Sequence, residues 1–114
     1  MFKEIADRKL VVSLAADHGG FAVKEEISAW LRAAGHQVAD CGAFAVDPGD
    51  DYPDFGAAAA KQVALGTADA GVLICRSGVG MGIVANRFHG VRACVAYSAE
   101  TAKKSRIHNA SNLL

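Results

Sequence analysis

The 114 residues predict an α/β fold: one domain, residues 1–114, with helices on both faces of a parallel sheet. Three observations carry the prediction. Short runs rich in Val, Leu, Ile and Ala alternate with helical stretches of about 10–15 residues, the pattern of βαβ units. The runs are continuously apolar rather than alternating, which fits strands covered on both faces. Length and composition agree, since 52% hydrophobic and 21% charged residues suffice for one core and argue against disorder. Right-handed crossovers then give a three-layer α/β/α arrangement around a Rossmann-like sheet of about five strands. In such sheets ligands bind at the carboxyl ends of the strands.

Residues 10–15, LVVSLA, form the first strand. Gly19-Gly20 opens a helix to about residue 34. Its apolar positions Phe21, Val23, Ile27, Trp30 and Leu31 recur at helical spacing, and Gly35 stops it. Residues 36–40 are a short second strand. Residues 41–54 are a polar loop with Pro48-Gly49 and Asp50-Asp51. An alanine-rich helix over 55–66 and a buried strand over 70–74 follow. A glycine-rich turn then enters a helix from Gly78 to about Phe88. Residues 91–96 read as a fourth strand. Ser98 caps a helix to about His108, with Thr101 and Lys103 exposed, and Asn112-Leu113-Leu114 begins a fifth strand.

Twelve basic and twelve acidic residues cancel, which excludes a generally basic nucleic-acid binder. The balance hides an asymmetry. Residues 1–69 hold six basic and eleven acidic side chains, net −5, whereas residues 70–114 hold six basic and one acidic, net +5. An anion belongs in the second part. No apolar run reaches the roughly 18–20 residues that span a bilayer, and Met1-Phe2-Lys3-Glu4 lacks a signal-peptide core. Cys41, Cys75 and Cys94 are odd in number and lack CxxC spacing, which argues against disulfides and a zinc site. The expectation is a cytoplasmic protein without metal, nucleic-acid or membrane partners. Cys41 and Cys94, in apolar contexts, read as buried small hydrophobes. His36 and His89 read as surface or turn residues.

Three constellations carry chemistry. In Ile74-Cys75-Arg76-Ser77-Gly78-Val79-Gly80-Met81-Gly82, a cysteine ends a buried strand and a glycine-rich turn enters a helix. Such a turn converges N–H groups on an anion and favours a thiolate usable as base or nucleophile; the plain alternative is a tight turn over a buried cysteine. A phosphatase loop would need arginine where Met81 stands. A dinucleotide fingerprint would need its third glycine one residue later than Gly82. Asp17-His18-Gly19-Gly20 puts an acid and an imidazole at a strand end, suited to proton transfer, or else Asp17 caps the next helix. His108 in Ser105-Arg106-Ile107-His108-Asn109 lies at a helix C-terminus, which favours an imidazolium and so a general acid, or it is an ordinary surface helix end. Asp51-Tyr52-Pro53 is a turn with an aromatic able to cover a site.

Together these pieces resemble the ribose-5-phosphate isomerase B and sugar-phosphate isomerase family. The matching stretches are Ala16-Asp17-His18-Gly19-Gly20-Phe21 with Lys24, Asp51-Tyr52-Pro53, Ile74-Cys75 through Gly80, Ala85-Asn86-Arg87, Gly90-Val91-Arg92-Ala93, and Ser105-Arg106-x-His108-Asn109 with Asn112. They occur in family order over nearly the whole chain. The resemblance implies aldose–ketose isomerisation of a phosphorylated sugar, most often ribose 5-phosphate to ribulose 5-phosphate, without metal or organic cofactor. It implies that His108 opens the furanose ring with Asp17 assisting, that Cys75 moves a proton between C1 and C2, and that Ser77 serves the substrate oxygens. Backbone N–H groups of residues 77–82, with Gly78, Gly80 and Gly82, would hold the enediolate. Asn86 and Asn109 would bind substrate, and His18 and Tyr52 would line the sugar and phosphate region. The family is dimeric with shared sites, so a homodimer or dimer of dimers is expected, with His108 facing a partner's Cys75.

Two departures stand out. Arg76 replaces the family's usual glycine, and either crowds the sugar or contacts its phosphate. The sequence ends inside the expected fifth strand, so the family's C-terminal helices and their basic residues are expected to be missing. The alternative functions are a non-catalytic sugar-phosphate-binding or assembly subunit, an isomerase of allose, galactose or tetrulose phosphate, and a nucleotide-binding α/β module.

Overall fold

A computed structural model describes residues 8–44 and 52–114 of the chain. The elements are β1 (Val11–Ala16), a 3-10 turn (His18–Gly20), α1 (Phe21–Ala33), β2 (Gln37–Asp40), α2 (Tyr52–Ala64), β3 (Ala70–Ile74), α3 (Val79–Ala85) and α4 (Ala99–Asn109). The strands pair in the order β2-β1-β3, all parallel. Beyond β3 the chain end and residue 93 continue the sheet as single parallel bridges, Gly71 to Leu113 and Ala93 to Leu113. The five expected strands are therefore three strands and two bridged segments. Residues 112–114 bond to both sides: Asn112 N–H donates to the Arg92 carbonyl at 3.0 Å, Cys94 N–H to the Leu113 carbonyl at 2.9 Å, and Leu114 N–H to the Gly71 carbonyl at 3.0 Å. Arg92 N–H goes to the Asn112 side chain at 2.8 Å and Ala93 N–H to the Asn86 side chain at 2.8 Å. The segment over 91–96 thus spends ladder groups on asparagine clips.

β1 lies between two strands and under two layers. Val12 and Leu14 face α1, where they meet Leu31, with Ile27, Val38 and Val72 packed around them. Ala15, on the other face, joins Ala59, Ala60 and Val63 of α2. Small residues on α2 bring it close to the sheet, and the buried Ser13 hydroxyl donates to the Ala59 carbonyl at 3.0 Å. α4 lies on the α1 side, across a groove floored by Val12 and Val72. Ser98 caps it, accepting the Thr101 N–H at 3.1 Å, and Thr101 and Lys103 are exposed as expected.

Some boundaries and faces differ from the expectation. α2 starts at Tyr52, three residues early, and most of the expected polar loop lies outside the described residues. α3 ends at Ala85 rather than near Phe88. Trp30 and Val23 were expected on the buried stripe of α1 but are 69% and 47% exposed. The buried residues of α1 are Lys24, Ser28 and Leu31. A periodicity count assigns a lysine to the surface, so it rotates the inner face by about one residue. His36 is half-buried, and its Nδ1 accepts the Leu10 N–H at 3.0 Å, pinning the start of β1 to β2. Cys41 and Cys94 are partly rather than fully buried. Burial, followed by the Asp40 charge, raises the Cys41 thiol pKa, while Lys24 works the other way.

Lys24 is 0% exposed. Its ammonium meets both Asp40 oxygens at 2.6 and 2.8 Å and Glu25 at 3.1 Å. The Phe21 and Phe44 rings stand 5.4 and 5.5 Å from it. Asp40 also accepts the Gly42 N–H at 2.9 Å, and Gly42 and Ala43 bond back to Ala16 at 2.7 Å each. The pair thereby holds the end of β1 in place. On the far side, Gly20 packs directly on β3: a Cβ there would stand 2.7 Å from both the Ile74 carbonyl oxygen and its side chain.

Lys24→Met should cost about 3–5 kcal/mol, because it leaves Asp40 without its cation. Urea denaturation measures this, and the Lys24→Met/Asp40→Asn double variant should lose less than the sum of the singles. Gly20→Ala should cost roughly 1–3 kcal/mol, since its methyl group meets the Ile74 backbone as well as its side chain; a melting temperature equal to the parent's would contradict the close approach.

Candidate active site

The carboxyl ends of β1 and β3 lie side by side. Asp17 follows β1 and donates its backbone N–H to the Ile74 carbonyl at 3.4 Å, one residue before Cys75. Of its two expected roles, the cap is realised: Asp17 Oδ1 accepts the Gly20 N–H at 3.1 Å. His18 is exposed in the turn that Asp17 caps.

Cys75 is half-buried directly after β3. Its Sγ accepts the Gly78 N–H at 3.2 Å, and Ser77 Oγ accepts the Val79 N–H at 3.3 Å. Gly78 has φ 80°, a left-handed conformation that glycine adopts without a side-chain clash. Gly82 donates to the Gly78 carbonyl at 2.9 Å and closes the first turn of α3. The structure thus divides the donors of residues 77–82. Gly78, Val79 and Gly82 are committed within the loop, whereas Gly80 and Met81 are first-turn N–H groups with no intrahelical acceptor. The Met81 side chain is 1% exposed and points at α2, where its sulfur would lie 2.7 Å from a Cβ on Gly56.

Between this loop, α3 and residues 93–97 lies a cleft of about 350 Å³. Leu73, Met81 and Leu113 close it from the core side, Val95 and Ala96 form a wall, and Arg76, Ser77 and Tyr97 stand at its exposed edge. Tyr97, which the sequence reading did not single out, donates its hydroxyl to the Ser77 carbonyl at 3.2 Å. Its position at the end of the 91–96 segment was the available signal. Cys75, Arg76, Ser77, Gly78 and Gly82 therefore line one cleft.

The remaining residues lie elsewhere. Asn86 spends both ends of its amide on the Ala93 backbone, at 3.1 and 2.8 Å, so it clips α3 to the sheet. With Arg92 and Asn109 it lines a second cavity, of about 510 Å³. The Asn109 carbonyl accepts from Arg92 Nε at 2.7 Å. His108 is exposed on α4 and does not line the Cys75 cleft. Two further ties hold the end of α4: the Ser105–Ser111 hydroxyl contact, and Arg106 donating to the Ser111 carbonyl. Tyr52 opens α2, and its side chain lies outside the described residues. Among the described residues no group of three or more His, Cys, Asp or Glu side chains is placed to hold a metal ion.

The chain is similar to known proteins over most of its length. Ribose-5-phosphate isomerase B of Mycolicibacterium paratuberculosis is 44% identical over 103 residues, covering 90% of this chain and 65% of that protein. A 4-deoxy-4-sulfo-D-erythrose isomerase of Clostridium sp. is 41% identical over 105 residues, again 90% of this chain and 65% of the relative. The chain therefore spans about 65% of the length of these curated relatives. The crystal structure of ribose-5-phosphate isomerase B from Mycoplasma genitalium with bound ribulose-5-phosphate superposes with a TM-score of 0.88 at 38% identity, covering 91% of this chain and 69% of that one. The ribose/galactose isomerase family matches residues 12–114, and the chain belongs to that family.

Proposed function

We propose that the chain is an aldose–ketose isomerase of a phosphorylated sugar, interconverting ribose 5-phosphate and ribulose 5-phosphate through an enediolate. One observation carries the reading. A half-buried thiol at a strand end receives the Gly78 N–H, beside the Ser77 hydroxyl and two first-turn N–H groups. An N–H aimed at sulfur suits a thiolate, which accepts hydrogen bonds. Met81 fills the core, so no carboxylate stands at that position and the thiol is the base at hand.

The steps follow from these groups. The Cys75 thiolate takes the C2 proton of the open-chain aldose, and the electron pair moves through the new C1–C2 double bond onto O1. N–H groups of Gly80 and Met81 hold the developing oxyanion. Ser77 passes the proton from O2 to O1, and the Cys75 thiol returns its proton to C1, leaving the C2 carbonyl. The ring opens first: His108 gives a proton to the ring oxygen as its bond to C1 breaks, and Asp17 assists by taking the O1 proton, which leaves the C1 aldehyde. Because His108 is outside the cleft lined by Cys75, we assign it to the cleft of a second copy, giving a homodimer or dimer of dimers. Asn109 then hydrogen-bonds the substrate from the same helix end, and His18 and Tyr52 line the sugar. Among the described residues no helix is long and apolar enough to cross a membrane, and the thiol base suits a reducing cytoplasm.

A second substrate is favoured by the sulfo-erythrose isomerase among the relatives: a four-carbon sugar with an anionic group at C4, processed by the same steps. Allose or galactose phosphates belong to the same comparison. The non-catalytic alternative predicts binding without turnover.

Following ribulose 5-phosphate formation from ribose 5-phosphate tests the reading, with four- and six-carbon sugar phosphates assayed alongside. Cys75→Ala should lower kcat/KM by roughly 10²–10⁴-fold with the fold retained; full activity in this variant removes the cysteine base. Mixing Cys75→Ala with His108→Asn and refolding them together should restore about a quarter of parental activity, because each mixed dimer carries one intact site. No recovery would place both residues in one subunit's site.

A further inference from the structure

We propose that Arg92 is a positioning residue for the reaction: its guanidinium holds the C-terminal end of α4 and so sets where His108 and Asn109 are presented. This rests on the reading of those two residues as groups that serve a second copy's cleft. Arg92 Nε donates to the Asn109 carbonyl at 2.7 Å. Asn109 is the last residue of α4, and its carbonyl has no donor within the helix. A cation at this point also meets the negative end of the helix dipole. Among the described residues this is the one hydrogen bond that joins residues 98–111 to the rest of the fold. The His108 and Asn109 side chains are exposed and form no hydrogen bond of their own among those residues. Their aim is therefore set by the backbone that carries them, and Arg92 holds that backbone.

Both ends of this contact are braced. On the Arg92 side, its N–H donates to the Asn112 side chain at 2.8 Å and its carbonyl accepts the Asn112 N–H at 3.0 Å. The Asn112 amide also donates to the Gly90 carbonyl at 2.9 Å, so residues 90–92 are fixed against the returning chain. On the α4 side, the chain reverses at Ala110, with φ 51° and ψ 41°. A residue with a Cβ enters this left-handed region at a cost, and such a conformation persists where its surroundings hold it. Here the Ala110 and Ser111 N–H groups both go to the Ser105 carbonyl, and the Ser105 and Ser111 hydroxyls meet at 2.6 Å in a buried position. The helix end is thus a stiff hook, and Arg92 is its attachment to the sheet side. A stiff hook on one firm attachment presents two neighbouring side chains together, which suits a site completed across two copies.

The test uses Arg92→Met, which keeps most of the length and loses the donors, and Arg92→Lys, which keeps a donor and the charge. Assayed well below its melting temperature, Arg92→Met should lower kcat/KM for ribose 5-phosphate by roughly 10–100-fold, and Arg92→Lys should lose less. Parental kcat/KM in folded Arg92→Met overturns the proposal. Subunit mixing separates positioning from stability. Arg92→Met refolded together with Cys75→Ala should recover about a quarter of parental activity, as His108→Asn does, because the damage falls on the other copy's cleft. Recovery with His108→Asn but not with Arg92→Met overturns the proposal, since Arg92 then acts within its own subunit's cleft or on the fold as a whole. The imidazole proton signals of His108, identified by their loss in His108→Asn, need no substrate. They should move in Arg92→Met while those of His18 and His36 stay; unmoved His108 signals overturn the proposal. A parent without turnover removes the isomerase reading, and no recovery in either mixture removes the shared site. In both cases the His108 signals still decide whether Arg92 holds the end of α4.

Discussion

A fully buried ammonium organises the working end of this domain. Lys24 on α1 reaches the Asp40 carboxylate at the end of β2, and the surrounding protein leaves it no water. Burying the ammonium is costly, so it persists only because its surroundings are complete: two oxygens of the half-buried Asp40, Glu25 and two aromatic rings around one ammonium. Asp40 then fixes the Gly42 N–H, residues 42 and 43 clasp Ala16, and Asp17 follows immediately. From Asp17 the chain of contacts continues to Ile74 and so to Cys75. The placement of the Cys75 loop thus depends on a charge pair in another layer of the fold.

The loop itself is a compact device. Two of its N–H groups go to its own sulfur and hydroxyl, which sets the shape of the turn. The donors left over belong to the first turn of α3, where a helix cannot satisfy them. Met81 anchors that turn by filling the space above Gly56. Strand end, turn and helix start are therefore positioned by core packing, and the groups facing the cleft inherit that rigidity. The edge of the cleft is built differently. Residues 92–97 reach the sheet through one bridge, at Ala93, and two asparagine clips, Asn112 on Arg92 and Asn86 on Ala93. Tyr97 ties this segment back to the Cys75 loop through one hydrogen bond, so the two sides of the cleft are coupled at the Ser77 carbonyl.

Much of this was legible in the sequence because it rests on local rules. Continuous apolar runs identified β1 and β3, and Ser98 identified the start of α4. The glycine-rich segment after Cys75 marked the loop that lines the cleft. What was not legible needed partners distant in the chain. Lys24 was left out of the buried stripe because its counter-charge is 16 positions away. Asn86 resembled a substrate contact because the backbone it clips, at Ala93, is visible only once α3 has folded back on the sheet. His36 looked like a turn residue for the same reason, with its acceptor role set by Leu10.

The sequence by itself determined the order and kind of the elements, the strand end at which chemistry gathers, and the residue types present there. Periodicity and glycine placement act over a few residues, and a few residues suffice to read them. The tertiary structure alone decided which of those residues share a cleft. It grouped Cys75, Arg76 and Ser77 with Tyr97, and it left His108 and Asn109 at another surface. It also decided that Asp17 caps a turn and that a lysine lies in the core. Each of these depends on crossovers and helix docking that bring distant segments together, and no local pattern encodes which segments those are.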